Sequence, residues 1–243
     1  MRSRAVLLRD PTERSTIALL SDRFERSLKF SRVHDDTALP PLTGTRLKLA
    51  EAALQSLKTV GFAGSSARTI AHLGGFNQAL IFYHFGSVQS LLLAAFDLIS
   101  ERRMREYGPQ LAAADSAREL AALARRIYDD DLERGYVTAL GEMVAGGVSD
   151  PVLGAAVAAR IEPWIGLVRV KLEQLLDGSG LLELLPADDI AFGIVAAYFG
   201  VDMLGQLQGD LSRSESLLDL TERLAVLADP LLPPSRKETD EPA

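Results

Sequence analysis

From Thr43 onward, apolar residues recur at helical spacing, with Leu47, Ala50, Leu54 and Leu57 on one face and Gly61 placed to end the helix in a left-handed turn. Ser66 is the predicted N-cap of a short helix through Leu73, and Gly74-Gly75 breaks it. Asn77 caps the next helix, with Phe76 before the cap and Ile81 four positions inside it, the spacing of a hydrophobic staple. After Gly86, Ser87 is placed to cap a long helix through about Arg105, whose inner stripe holds Leu91, Leu92, Ala95, Phe96 and Ile99. Further helical segments are predicted at 116–133, 135–147, 151–177, 188–208 and 214–228, separated by Gly, Pro, Ser and Asp signals. No segment alternates as a strand would, so the expected fold is all-α.

The two ends read differently. Residues 1–42 mix Arg and Ser with scattered acids and finish at Ala38-Leu39-Pro40-Pro41-Leu42, where paired prolines stop a helix. Ile17, Leu20, Phe24 and Leu28 allow a short helix between Ser15 and Phe30, so this extension is expected to be partly disordered, either an interaction arm or a frayed tail. The C-terminal stretch 231–243 lacks periodicity and is expected to be disordered. The predicted organisation is an extension at 1–42, a helix-turn-helix head at 43–90, a helical body at 91–230 and the tail.

Charge sharpens that division. The whole chain is −7, but residues 1–90 hold 12 Lys/Arg against 7 Asp/Glu, net +5, which leaves 14 against 26, net −12, for residues 91–243. A basic head on an acidic body suits a protein that touches a polyanion with one end, although a solvated acidic surface accounts for the second half equally well. There are no cysteines and three histidines, which excludes disulfides and thiolate metal sites and leaves little for other metals; no metal or cofactor is expected. No run approaches the roughly 18 apolar residues of a membrane span, and the N-terminus does not read as a signal peptide, so no membrane partner and a cytoplasmic location are expected.

A helix-turn-helix needs a small residue where its helices cross, a glycine-type turn and apolar residues facing the first helix. Ala71, Gly75 and Ile81 supply these, with Ile70, Phe76 and Phe85 completing the apolar side. The exposed face of the second helix is then Asn77, Gln78, Leu80, Tyr83 and His84. Asn77 and Gln78 carry amides suited to an adenine edge, and Leu80 suits a thymine methyl, which makes these three the expected base readers. Ser66 and Arg68 at one helix start, Tyr83 and His84 at the end of the next, and Ser87 at a third helix start are placed for phosphates, with Arg46 and Lys48 adding attraction. Tyr83 and His84 alternatively pack against the first helix.

Thr45-Arg46, Ala52-Ala53, Gly61-Phe62, the run from Ser66 to Ala71 and above all the run from Asn77 to Ser87 resemble the N-terminal domain of the tetracycline-repressor (TetR) family. The resemblance covers about a fifth of the chain. It departs at Phe82, where Tyr is common in the family, and at Val88, where Lys is common; Arg46, Lys48 and the arginines of the extension are expected to compensate. It implies a homodimeric transcriptional regulator, commonly a repressor, that binds a pseudo-palindromic double-stranded operator and is released by a small-molecule effector.

For the dimer contact, 151–177 and 188–208 are the candidates. Gly154, Ala155, Ala158, Gly193, Ala196, Ala197 and Gly200 permit close approach, while Ile161, Trp164, Leu167, Leu172, Ile194, Tyr198 and Leu204 fill it; an intramolecular core explains the same pattern. Tyr128, Tyr136, Glu142, Met143, Trp164, Tyr198, Asp202 and Met203 are the candidate lining of an effector pocket, with simple core packing as the alternative. Asp129-Asp130-Asp131 with Glu133 reads as a solvated face, because consecutive helical residues splay around the axis. Gly146-Gly147 and Gly178-Ser179-Gly180 lack the strand and lysine of a phosphate loop, and no catalytic residue is expected. The rival functions are a helical protein-interaction module whose head no longer reads DNA, and an enzyme housed in the body.

Overall fold

The computed structural model describes residues 42–232; the predicted extension and tail fall almost wholly outside the described residues. The described chain is all-α, with no strand among the described residues. In chain order the helices are α1 Gly44–Gly64, α2 Ala67–Gly74, α3 Ala79–Phe85, α4 Val88–Ala113, α5 Ala117–Glu133, α6 Tyr136–Ser149, α7 Pro151–Leu176, α8 Ala187–Gln208 and α9 Ser212–Ala228. Short 3-10 turns lie at Leu181–Glu183 and Asp229–Leu231.

Local chemistry fixes these boundaries. Ser66, Ser87 and Ser116 each accept the backbone N–H three residues on, from Thr69, Ser90 and Glu119. Asp150 accepts from Val152 and Leu153 while Pro151 occupies the first position of α7, where its missing N–H costs nothing. Gly75 ends α2 in the left-handed region, φ 66°. Gly61 has positive φ as expected, but one more turn of helix follows its kink, so α1 closes at Gly64. Helix α4 runs to Ala113, past Arg105 and through Pro109.

Leu49, Ala53, Leu57, Ile70, Ile81 and Phe85 form the head's share of a core that continues into the body through Leu91, Leu92, Phe96 and Ile99. Every residue from 91 to 100 is buried, which makes α4 the spine that carries the head into the body. Two buried cations tie it to its neighbours. Arg160 on α7 reaches Asp97 at 2.9 Å, and Arg103 pairs with Asp131 on α5. Trp164 Nε1 also donates to Ser100 Oγ at 3.2 Å.

Helix α7 is long and apolar enough by length and composition to cross a membrane. Leu153, Val157 and Leu167 are buried against neighbouring helices and the helix carries buried Arg160 and Lys171, while only 28% of its most apolar stretch is buried, so one face packs within the chain and the other is left open. Gly154 serves the same packing: a Cβ there would lie 2.6 Å from the Gly147 carbonyl oxygen on α6, so the two backbones touch within one chain. Gly154 thus serves an intramolecular contact, while Ala155 and Ala158 on the same helix remain exposed.

Most of the exposed large apolar residues lie on α8 and α9. Leu217, Leu220, Leu224 and Leu227 form a heptad-spaced exposed seam along α9, and Leu204 and the strongly exposed Leu207, 82% accessible, are likewise uncovered on α8. A Cβ on Gly193 or Gly200 of α8 would meet nothing within 4 Å.

Candidate nucleic-acid interface

The head packs α2 and α3 against α1 through residues of small or apolar type. Ala71 is buried at the crossing, Ile70 and Ile81 are fully buried, and Phe85 closes the far end. Helix α3 then meets α4 at a bend of 70°, which leaves its outer face uncovered.

Tyr83 and Phe82 stand on that face, 83% and 52% exposed, an unusual position for aromatic rings unless a partner covers them. Of the two alternatives for Tyr83, packing against the first helix is thereby excluded. The Tyr83 and His84 rings meet edge to face with centroids 4.9 Å apart. His84 is half-buried. Asn77 and Gln78 are exposed at the start of the helix, while Leu80 is half-buried against the core. Asn77 Oδ1 accepts the Ala79 N–H at 2.9 Å, so part of its amide is engaged in starting α3.

Lys48, Ser66 and Arg68 are exposed, and Ser87 is half-buried. The hydroxyls of Ser66 and Ser87 are engaged as caps, which leaves the positive helix ends as what these positions present to an anion.

Arg46 sits elsewhere. It is 9% exposed, its guanidinium lies 4.1 Å from the Phe85 ring centroid, and Nη1 donates to the His84 carbonyl. This buried strut locks the end of α3 onto α1, and we group Arg46 with the packing rather than with the exposed face.

The eight residues expected to line a pocket do not all converge on one place. Tyr128, Trp164 and Tyr198 gather in the body around Arg103, whose guanidinium lies 5.3 Å from the Trp164 ring and 5.0 Å from the Tyr198 ring. Arg103 Nη2 donates to Tyr198 Oη at 2.6 Å, Tyr198 Oη donates to Asp131 at 2.9 Å, and the Tyr128 and Tyr198 rings stack edge to face at 5.9 Å. Asp202 is buried on α8 beside Gly141.

Met143 is fully buried core, and Met203 is exposed on α8. Tyr136 and Glu142 belong to the joint between head and body: Lys58 lies over the Tyr136 ring at 5.2 Å, and Glu142 accepts the Phe62 N–H at 2.7 Å.

Sequence reading missed Arg103 and Asp131. Asp131 is 1% exposed, which corrects the solvated-face expectation for that residue; Asp129 remains exposed and pairs with Arg125. Burial pushes the Asp131 carboxyl up, against the pull of the Arg103 guanidinium. The missed signal was a charge on an apolar stripe, since Asp131 follows Leu123, Ile127 and Tyr128 at helical spacing.

No family model matches the sequence, and no curated protein matches it. Solved structures do. A TetR-family transcriptional regulator from Cytophaga hutchinsonii superposes with TM-score 0.61 at 15% identity, covering 75% of this chain and 93% of that one. The fatty acid degradation regulator FadR from Bacillus halodurans gives TM-score 0.61 at 16% identity, over 75% and 95% of the two chains. The multidrug binding protein EbrR, complexed with imidazole, gives 0.55 at 22% identity, over 80% and 99%. The chain has the fold of the TetR-family transcriptional regulators.

Proposed function

We propose that the chain is a cytoplasmic, homodimeric DNA-binding transcriptional regulator of the TetR type, acting as a repressor. The observation that carries this reading is the α3 face, where a short helix held by buried Ile81 and Phe85 exposes Gln78, Phe82 and Tyr83 together. Gln78 and Asn77 read base edges, with Leu80 touching a thymine methyl; Lys48, Ser66, Arg68, Tyr83, His84 and Ser87 hold phosphates. The head at 43–90 does the reading and the body at 91–230 the pairing and sensing. The exposed leucines of α8 and α9 meet their copies in the dimer and set the spacing of the two heads.

An effector enters the body beside Tyr128, Trp164, Tyr198 and Asp202. Binding there acts on α4 through Arg103, and α4 turns the heads away from the operator. The likeness to a multidrug binding protein complexed with imidazole supports a small-molecule site. The proposed function needs no cofactor and no catalysis.

Titration of a labelled random-sequence duplex over a range of salt concentrations tests the head. Binding that weakens steeply with salt, and is uniformly weaker for Tyr83→Ala, is the expected result. Absence of binding at low salt, for a chain that is folded and dimeric, removes this reading in favour of a protein-interaction module.

A further inference from the structure

Gly61 interrupts α1 with φ 70° and ψ −177°, which takes the Phe62 N–H out of the helical ladder. Glu142 on α6 accepts that N–H through Oε2 at 2.7 Å. A Cβ on residue 61 would lie 2.6 Å from the same oxygen, so the carboxylate reaches the kink because position 61 has no side chain. One turn along α6, a Cβ on Gly146 would lie 2.7 Å from the Phe62 ring. Glu142 and Gly146, on one face of α6, thus grip the backbone and the ring of a single head residue.

The other side of the kink is equally constrained. Ser65 Oγ donates to the Gly61 carbonyl at 2.7 Å and meets the buried Ser56 hydroxyl at 2.8 Å. Ser66, the cap of α2, follows directly. Any rotation at residue 62 is therefore passed to α2 and α3. A tilt of roughly 15° over the ~12 Å length of an eight-residue helix moves a contact by about 3 Å, near one base-pair step.

We propose that Glu142 is a positioning residue that fixes the pitch of the head on the body by holding the Phe62 N–H at the Gly61 kink. Its consequence for DNA rests on the DNA-reading function above; its effect on head orientation does not. Glutamine at position 142 still offers an amide oxygen to the Phe62 N–H, whereas alanine offers nothing.

The chain has no cysteine, so His72→Cys on α2 and Gln174→Cys on α7, both exposed, give two clean sites for spin labels. Double electron–electron resonance on the full chain, with labelled molecules diluted in unlabelled ones, should give one narrow distance distribution. Glu142→Ala should broaden it about twofold, and Glu142→Gln should restore it. On an operator with two half-sites Glu142→Ala should lose about tenfold in affinity, and on a single half-site less than twofold. An unchanged distribution in Glu142→Ala, equal broadening in both variants, or equal losses on the two DNAs would overturn the proposal. If the parent binds neither DNA, the DNA-reading function falls and the label distances alone decide the role of Glu142.

Discussion

Arg103 on α4 and Asp131 on α5 form an ion pair inside the body, with side chains 9% and 1% exposed, and Tyr198 on α8 hydrogen-bonds to both. Three helices are joined at one point. One of them leads directly from the head, and another carries exposed apolar residues.

Removing one partner of such a pair leaves an uncompensated buried charge. Asp131→Ala should therefore cost about 3–5 kcal/mol, measured as the loss in unfolding free energy in urea at fixed protein concentration. Tyr198→Phe removes one hydroxyl and should cost about 1 kcal/mol. Equal and small losses for both variants would show that the pair is solvated rather than sequestered.

Arg46 gives a contrast within the head. Because its guanidinium serves the His84 carbonyl and the Phe85 ring, Arg46→Ala should lower stability by about 2 kcal/mol. The remaining folded protein should keep the parent's salt slope for DNA. A slope flatter by about one unit, with unchanged stability, would return Arg46 to the phosphate contacts.

The leucine seam predicts the quaternary structure. Leu220→Glu with Leu224→Glu places carboxylates in the centre of the proposed contact, and sedimentation should change from dimer to monomer. The same exchange at Val152, exposed on α7, should leave the dimer intact. A dimer that survives the double substitution would place the contact elsewhere.

Acid sensitivity follows from Asp150. The backbone N–H of Leu153, the Gln89 side chain and the Val152 N–H hold its carboxyl below the usual range. With the folded pKa below the unfolded value of about 3.9, its stabilisation is present above that value and is lost as pH falls through the folded pKa. Asp150→Asn keeps a capping oxygen that does not titrate. Its Tm should fall less than the parent's between about pH 6 and about pH 3, and equal falls would show that the cap does not contribute.

Much of the fold was legible because each boundary has a local cause. Ser66, Ser87, Asp150-Pro151 and Gly75 all act as their residue types predict, and the apolar stripes of α1 and α4 face the core. What periodicity cannot tell is which apolar or small position faces another helix of the same chain and which faces a second copy. Gly154 and Gly200 read alike in sequence, yet one touches α6 and the other faces open space. Long-range polar contacts were hidden for the same reason: the partner of Glu142 is a backbone group 80 residues earlier, which no spacing rule reaches. Charges on apolar stripes, at Arg103, Asp131, Arg160 and Lys171, were the available sign of buried pairing.

The central claim is that α3 reads DNA sequence. Selection of binding sites from random duplex DNA at near-physiological salt, with the parent and with Gln78→Ala, tests it most directly. The parent should select a pseudo-palindromic site, and Gln78→Ala should relax the preference at the bases facing position 78, at a cost of about 1–3 kcal/mol per lost base contact. No enriched sequence for the parent, or an unchanged preference in Gln78→Ala, would contradict it.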